Sequence, residues 1–274
     1  MKSFITRTLS AIVFAAIMLG GLLWTPMAFC IVFGLVIVVM MYEYLNITIG
    51  KKLCFGQWLS ILSGLFLFVG VFSVRYFGLN PGILFALALP LSLIFISLLW
   101  QKGDYSSYPY LLSAIVYIAL PFTLLDFLAF DYAGRFNGVI VLALFIILWA
   151  SDVGAYLFGM TFGQKNGHKL FPSISPKKSW EGYIGSFFVS AVVGFYLAKF
   201  DLLPFKYVHA VVLAIVINVF ATLGDLVESQ LKRNFDVKDS GKIMPGHGGL
   251  LDRFDGALIA FPIAIAYIYI FGLI

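Results

Sequence analysis

Four carboxylates flank a basic, glycine-rich segment near the end of the chain. Asp225 and Glu228 are spaced i, i+3 at the end of one apolar stretch, and Asp252 and Asp255 have the same spacing where the next stretch begins. Residues at this spacing share one face of a helix. Converging carboxylates repel one another unless a cation or a proton lies between them. Mg²⁺ is commonly bound by one or two carboxylates together with substrate phosphates. The spacing therefore indicates a divalent metal site.

The segment that follows the first carboxylate pair and includes the second is the most densely charged part of the chain. Residues 230–255 hold nine of the 31 formal charges, and three glycines surround His247 where the backbone can approach a ligand. The charged residues are Lys232, Arg233, Asp236, Lys238, Asp239, Lys242, Asp252, Arg253 and Asp255. Carboxylates beside lysines, arginines and glycines are typical of a site for phosphates. The alternative is that each carboxylate pair is solvated at a helix end or bridged to Arg233 or Arg253.

Two further features precede this segment. Asp152 lies well inside an apolar run, where an ionisable group is costly and indicates a function by default. The alternative is a hydrogen bond between helices, or a position closer to water. The run Ser175–Ser179 brings hydroxyls together with Lys177 and Lys178, which suits contact with phosphate. Basic residues beside a membrane also attract anionic lipid. Binding of membrane lipid by these lysines therefore remains an alternative to contact with a substrate phosphate.

The rest of the chain is strongly apolar. The sequence is 62% hydrophobic and 11% charged, with a mean hydropathy of +1.01, whereas ordinary soluble domains are about 25% charged. Apolar runs of roughly 20 residues, each long enough to cross a bilayer, predict an all-α polytopic membrane protein with about nine helices. The predicted spans are 8–24, 27–46, 56–74, 82–100, 109–129, 137–160, 182–199, 207–229 and 256–273. We expect an N-terminal scaffold of about five helices, residues 1–136, and a catalytic region of about four helices, residues 137–274, with two cytoplasmic loops.

The basic residues predict the orientation of these spans. With the N-terminus inside, only Arg75, Arg135, Lys199 and Lys206 of the 18 basic residues fall outside, and cytoplasmic loops are normally rich in lysine and arginine. The polar loops 161–181 and 230–255 then share the cytoplasmic face. Because the charges occupy short loops at membrane ends, the net charge of +5 does not indicate nucleic acid.

Glu43 and Asp126, the two acidic residues within the first five spans, are expected at solvated helix ends. We therefore expect their amide variants to retain most activity.

Known nucleotide motifs are missing from the sequence. It has no GxxxxGK[ST] motif, and the GHGG run lacks both the GxGxxG pattern and a strand-to-helix context. The residues alone therefore indicate a membrane enzyme that handles phosphorylated substrates with a divalent metal.

A family resemblance takes the interpretation further. The stretch Ser229–Asp255, SQLKRNFDVKDSGKIMPGHGGLLDRFD, resembles the signature of phosphatidate cytidylyltransferases, and Asp152, SPKKSWEG and Gly224-Asp225 are similar to the same family. The positions that carry the signature are Ser229, Lys232, Arg233, Lys238, Asp239, Gly241, Pro245, His247, Gly248, Gly249, Asp252, Arg253 and Asp255. The resemblance implies transfer of CMP from CTP to phosphatidic acid, giving CDP-diacylglycerol and pyrophosphate.

The resemblance also implies roles for individual residues. Asp225 and Asp252 would coordinate Mg²⁺, with Asp152, Glu228 and Asp255 nearby, and a monovalent cation such as K⁺ would lie near the same acidic centre. The residues implied to act in catalysis are Asp225, Asp252, Lys232, Arg233, His247 and Arg253. Those implied to bind the nucleotide or the lipid are Lys177, Lys178, Ser179, Lys238, Asp239, Lys242, Gly248 and Gly249. The phosphates of CTP or of the lipid would be held by Lys232, Arg233, Lys238, Lys242, His247 and Arg253.

Some alternatives remain open at this point. A CTP-dependent lipid kinase, or a cytidylyltransferase acting on another membrane lipid phosphate, would use similar groups. A transporter for an anionic substrate would also need intramembrane carboxylates, although transporters often show matched broken helices in two halves. The expected location is a bacterial-type cytoplasmic membrane with the active site facing the cytoplasm, and a homodimer is an open alternative to a monomer.

Overall fold

The chain forms a set of apolar helices with one small hairpin. The structure is a computed structural model that describes residues 2–50, 55–97, 99, 105–163, 167–246 and 248–274. The helices are α1 Lys2–Leu23, α2 Pro26–Thr48, α3 Phe55–Phe77, α4 Ala88–Ser97, α5 Tyr108–Ala114, α6 Leu120–Leu124, α7 Asp126–Ala129, α8 Val139–Phe162, α9 Trp180–Lys199, α10 Tyr207–Asn234 and α11 Leu251–Ile270. The strands are β1 Lys169–Phe171 and β2 Ser175–Ser179. The predicted all-α class is confirmed.

Within the described ranges, seven helical stretches are long and apolar enough to cross a membrane. They are Pro26–Thr48, Phe55–Phe77, Tyr105–Ala129, Val139–Phe162, Trp180–Lys199, Tyr207–Asn234 and Leu251–Ile270. Two shorter apolar helices, Thr8–Leu23 and Pro81–Ser97, lie where the sequence predicts the remaining spans. The chain is an integral membrane protein, and the count of nine spans stays a prediction.

The helices belong to two compact units. The first unit comprises Met1–Gly138 and Phe235–Arg253, and the second comprises Val139–Asn234 and Phe254–Ile274. The first unit is thus built from two separate stretches of chain, and the segment 235–253 folds with the N-terminal helices. The predicted division after residue 136 stays a prediction.

In the first unit, α1 and α2 form a hairpin. Thr25 ends the turn as the N-cap of α2, since its hydroxyl accepts a hydrogen bond from Ala28 N at 3.0 Å. Pro26 follows at the first helical position, where its missing N–H is not needed. Near the turn the helices come close at Gly21, where an added Cβ would lie 2.9 Å from the Cβ of Val32.

The stretch Tyr105–Ala129 crosses the first unit with an irregular backbone. A 3₁₀ turn precedes α5, and the five residues Ile115–Ala119 form a π-helix before α6. Pro121 occupies the first turn of α6. A proline ring clashes with the carbonyl four residues earlier and removes one helical hydrogen bond, so the widened turn before Pro121 has a local cause.

Both acidic residues of the first five spans are buried, so the expectation that they lie at solvated helix ends is wrong. Glu43 is 2% exposed and Asp126 is 0% exposed. Among the described residues, Asp126 has no hydrogen-bond partner, and it lies within electrostatic range of Arg75 at the end of α3. Such burial needs a compensating charge or donor, because an isolated buried carboxylate is strongly disfavoured.

In the second unit, α8, α9 and α10 pack through small residues. An added Cβ on Gly185 would lie 2.1 Å from Phe158 Cγ, and one on Gly182 would lie 2.7 Å from the carbonyl oxygen of Ala155. Buried Asn218 of α10 donates from Nδ2 to Ser151 Oγ at 2.8 Å and to Ser186 Oγ at 2.7 Å. Helices in lipid usually associate through close backbone contact and hydrogen bonds, because burial of apolar surface does not favour association there.

A hairpin forms within the predicted polar loop 161–181. Strands β1 and β2 pair antiparallel, and α9 follows β2 directly. Glu181, in the first turn of α9, accepts from His168 N at 2.9 Å. The sequence did not indicate the strands, because runs of three and five residues are too short to show a strand pattern.

Candidate functional site

Four carboxylates gather in the second unit and are called the acidic cluster below. They are Asp152 of α8, Asp225 and Glu228 of α10, and Asp255 of α11. Asp255 is half-buried and lies within electrostatic range of the other three. Gly224 makes this possible, because an added Cβ there would lie 2.6 Å from the backbone oxygen of Asp255. The close crossing of α10 and α11 therefore brings the i, i+3 pair of α10 next to Asp255.

Two lysines neutralise part of the acidic cluster. Lys178 Nζ lies 2.6 Å from Asp225 Oδ2, and Lys232 forms an ion pair with Glu228 on the same face of α10. Ser229 donates its hydroxyl proton to Asp225 Oδ1 at 3.1 Å. The sequence offered Arg233 as an alternative partner for Asp225. Arg233 is exposed at the end of α10, and Asp225 instead forms the ion pair with Lys178. Four carboxylates against two lysines leave a formal surplus of two negative charges.

This charge surplus suits a divalent cation. Among the described residues, no three side chains of His, Cys, Asp or Glu converge closely enough to hold a metal ion by themselves. Mg²⁺ does not require such a cage, since it usually keeps water and binds through one or two carboxylates and substrate phosphates. The carboxylate oxygens of the acidic cluster fit that mode of binding.

The segment 235–253 of the first unit, called the signature loop below, folds around Asp252. The carboxylate Oδ2 of Asp252 accepts from Ser240 N at 2.9 Å and from Gly249 N at 2.8 Å. Gly248 has a φ of +91°, and an added Cβ there would lie 2.7 Å from the same oxygen. Only glycine both adopts a positive φ without strain and leaves room for the Asp252 oxygen at this position. One oxygen of Asp252 therefore holds the loop against the start of α11.

Glu43 of α2 holds the same loop from the other side, and sequence reasoning missed this role. Its Oε2 accepts from Leu251 N at 2.8 Å and from Ser240 Oγ at 3.2 Å. Gly241 and Gly249 permit the approach, since a Cβ on Gly241 would lie 2.1 Å from Glu43 Oε1 and one on Gly249 would lie 2.6 Å from Oε2. The signal in the sequence was a carboxylate between two tyrosines near the end of an apolar run, which resembles an ordinary interfacial position.

A basic cavity of about 670 Å³ opens in the signature loop. Three cations, Lys238, Lys242 and Arg253, line it together with one carboxylate, Asp239. Three positive charges against one negative charge favour an anion, and lysine and arginine are common phosphate ligands in proteins. Gly248 also lines the cavity, so the expected phosphate contacts 238, 239, 242, 248 and 253 lie together.

Other expected site residues lie elsewhere. Lys177 is exposed on β2, next to the paired Lys178. Ser179 is buried and caps α9, because its hydroxyl accepts from Gly182 N at 3.2 Å. His247 lies outside the described residues. Asp252 belongs to the first unit and Asp225 to the second, so their joint coordination of one ion stays a prediction.

Comparison with known proteins gives one consistent result. The model of the cytidylyltransferase family matches residues 5–271. A phosphatidate cytidylyltransferase of Staphylococcus haemolyticus (strain JCSC1435) is 38% identical over 207 residues, which cover 67% of this chain and 77% of that protein. The enzyme of the same name from Staphylococcus aureus (strain COL) is 43% identical over 155 residues, or 56% of this chain and 55% of that protein. The one from Bacillus subtilis (strain 168) is 44% identical over 117 residues, covering 43% of this chain and 42% of that protein.

The aligned regions thus span about three quarters of one relative and about half of the other two. The family match is much longer, and it includes both the acidic cluster and the signature loop. By this match, the chain belongs to the cytidylyltransferase family.

Proposed function

We propose that the protein transfers CMP from CTP to phosphatidic acid, giving CDP-diacylglycerol and pyrophosphate. The observation that carries the proposal is the family match over residues 5–271, which takes in the acidic cluster and the basic cavity together. Three relatives that share 38–44% identity with the chain are named for this activity. The membrane-spanning helices suit an acceptor that resides in the bilayer.

The reaction is a substitution at phosphorus. An oxygen of the lipid phosphate attacks the α-phosphorus of CTP, a new P–O bond forms, and the bond to the bridging oxygen of the β-phosphate breaks so that pyrophosphate leaves. No protein nucleophile is required, and the catalytic task is to position the two phosphates and to offset their charge.

The side chains of each unit suit one part of that task. In the first unit, Lys238, Lys242 and Arg253 can bind phosphate oxygens in the basic cavity. In the second unit, Asp225 would hold Mg²⁺ together with one other carboxylate of the acidic cluster, and the bound ion would offset charge on the phosphates. Lys178 holds the Asp225 carboxylate in one orientation at 2.6 Å. The participation of Asp252 and of a K⁺ ion stays a prediction, and so does the cytoplasmic orientation of the site.

The proposal is tested with purified full-length protein, Mg²⁺ and CTP labelled at either the α- or the γ-phosphate. With phosphatidic acid as acceptor, the α-label should appear in the lipid and the γ-label in pyrophosphate. A lipid kinase, supplied with diacylglycerol in a parallel assay, would instead move the γ-label to that lipid and release CDP. Transfer of the γ-label to any lipid, or no transfer of the α-label to phosphatidic acid, would refute the proposal.

A further inference from the structure

An apolar groove runs along the first unit between α1 and α2. Its volume is about 600 Å³, and Ile17 and Val13 of α1 line one wall while Val36 and Val39 of α2 line the other. The groove extends along α1 from Thr6 to Met18, roughly 18 Å at the helical rise of 1.5 Å per residue. This length is close to the depth of one leaflet, since the hydrocarbon core of a bilayer is about 30 Å thick.

One end of the groove is formed by the signature loop. Ile243, Met244, Pro245 and Leu250 line the groove there, and Met244 and Pro245 also line the basic cavity. The loop is fixed at this end, because Ser10 of α1 donates its hydroxyl proton to the carbonyl oxygen of Pro245 at 3.2 Å. The apolar groove and the cavity that contains Lys238, Lys242 and Arg253 therefore adjoin within one unit.

This arrangement has the chemistry of an amphiphile with an anionic head. We propose that the groove holds one acyl chain of the lipid phosphate whose phosphate group lies in the basic cavity. The proposal rests on the proposed function and adds the place of the lipid tail, and with it a basis for chain-length selection. The cations of the cavity match the phosphate in charge, and the residues of the groove match the hydrocarbon.

The groove acts mainly by positioning. A tail that moves from bulk lipid into the groove leaves one apolar environment for another, so its burial supplies little free energy. A tail of the right length instead restricts the headgroup to the cavity, which raises the fraction of time that its phosphate is poised for reaction. A short tail fills only the part near the loop and is insensitive to changes at the far end.

The test fills the far end of the groove with Ile17→Trp and uses Ile12→Trp as the matched control. Both isoleucines lie on α1 and have similar exposure, 52% and 59%, but only Ile17 lines the groove. The ratio of kcat/KM for dioleoyl to dioctanoyl phosphatidic acid should fall about fivefold or more in Ile17→Trp, which is a loss of positioning, and stay unchanged in Ile12→Trp. An equal effect on both lipids, or an equal change of the ratio in both variants, would overturn the groove assignment.

A second measurement uses the unaltered chain. Phosphatidic acid with a photoreactive diazirine near the end of one tail should label peptides from α1 and α2 that line the groove. Excess dioleoyl phosphatidic acid should suppress this labelling, and dioleoyl phosphatidylcholine should not. Labelling that neither lipid suppresses, or that both suppress equally, would show an ordinary lipid-facing surface and overturn the proposal. A failure of the proposed function would look different, because the unaltered protein would then form no CDP-diacylglycerol from either chain length.

Discussion

Glu43 illustrates how much a single buried carboxylate can organise. It lies on α2, and its hydrogen bonds reach Ser240 and Leu251, which are 197 and 208 residues further along the chain. Ser240 also contacts Asp252, since its backbone N–H donates to Asp252 Oδ2. Glu43 therefore acts through the signature loop, as a positioning residue for Asp252 and for the cations of the basic cavity.

We expect Glu43→Ala to lower turnover by about tenfold or more, because a buried donor that loses its acceptor costs about 1–3 kcal/mol and the loop loses its anchor. Glu43→Gln keeps an oxygen acceptor of the same size and should retain most activity. Turnover and thermal unfolding of both variants in detergent provide the measurement. Unchanged turnover in Glu43→Ala would contradict the positioning role.

The substitution Asp225→Asn tests whether this carboxylate binds Mg²⁺, as the proposed function requires. We expect Asp225→Asn to lower turnover by about a hundredfold or more, as expected for a lost contact to a metal that offsets transition-state charge. The variant should still fold, since the pair with Lys178 is partly exposed and such pairs contribute only about 0–1 kcal/mol.

The measurement for Asp225→Asn is turnover against Mg²⁺ concentration. Asp201→Asn is the matched control, because Asp201 is an exposed aspartate of the same unit at a positive φ of 59°, which asparagine also tolerates. Near-normal rates of Asp225→Asn at low Mg²⁺ would remove this carboxylate from the metal site.

At the level of elements, the helices α8 and α9 fix the geometry on one side of the acidic cluster. Asp152 belongs to α8, and Lys178 lies two residues before the first residue of α9, whose N-terminus Ser179 caps. The two helices approach closely at glycines, including Gly154, where an added Cβ would lie 2.9 Å from Val189 Cβ. A change in the separation of α8 and α9 would move Asp152 and Lys178 relative to each other.

We expect Gly185→Ala to destabilise the protein by about 1–3 kcal/mol, the usual cost of overpacking, because its Cβ would lie 2.1 Å from Phe158 Cγ. Gly20→Ala in α1 is the control, since no atom lies within 4 Å of its added Cβ. That change should be neutral or stabilising by about 1 kcal/mol or less. Thermal unfolding in detergent distinguishes the two, and equal midpoints would argue against glycine-mediated contact of α8 and α9.

For the whole molecule, the orientation in the membrane follows from the basic residues. The loops that contain Lys177 and Lys242 should both face the cytoplasm, as the positive-inside rule requires. The test places a single cysteine at either position in a chain whose Cys30 and Cys54 are replaced by serine. Both should react with an impermeant maleimide in inverted membrane vesicles and stay unlabelled in intact cells. A cysteine at Lys206 should show the reverse, and labelling of position 177 or 242 in intact cells would refute the orientation.

The sequence predicts the helices well and the contacts between distant segments poorly. The span 207–229 and the helix α10, Tyr207–Asn234, begin at the same residue, because apolar runs of this length have few alternatives in a bilayer. The acidic residues of α10 and α11 were also found, since their i, i+3 spacing is a local signal. Glu43 was misjudged because its partners are remote and no local pattern reveals them. The pairing of Lys178 with Asp225 was likewise invisible, since it requires the packing of α9 against α10.

The split of the first unit into Met1–Gly138 and Phe235–Arg253 has a consequence for biosynthesis. The ribosome delivers α2, with Glu43 inside it, long before it delivers the donors Ser240 and Leu251. During that interval the nascent chain carries an uncompensated carboxylate, and a charged residue in a bilayer costs on the order of 3 kcal/mol by insertion measurements. Chains that stop before residue 240 never receive these donors. A chain that ends before residue 240 therefore keeps an α2 whose carboxylate lacks both donors, and we expect α2 to be held less stably in such chains than in the complete protein.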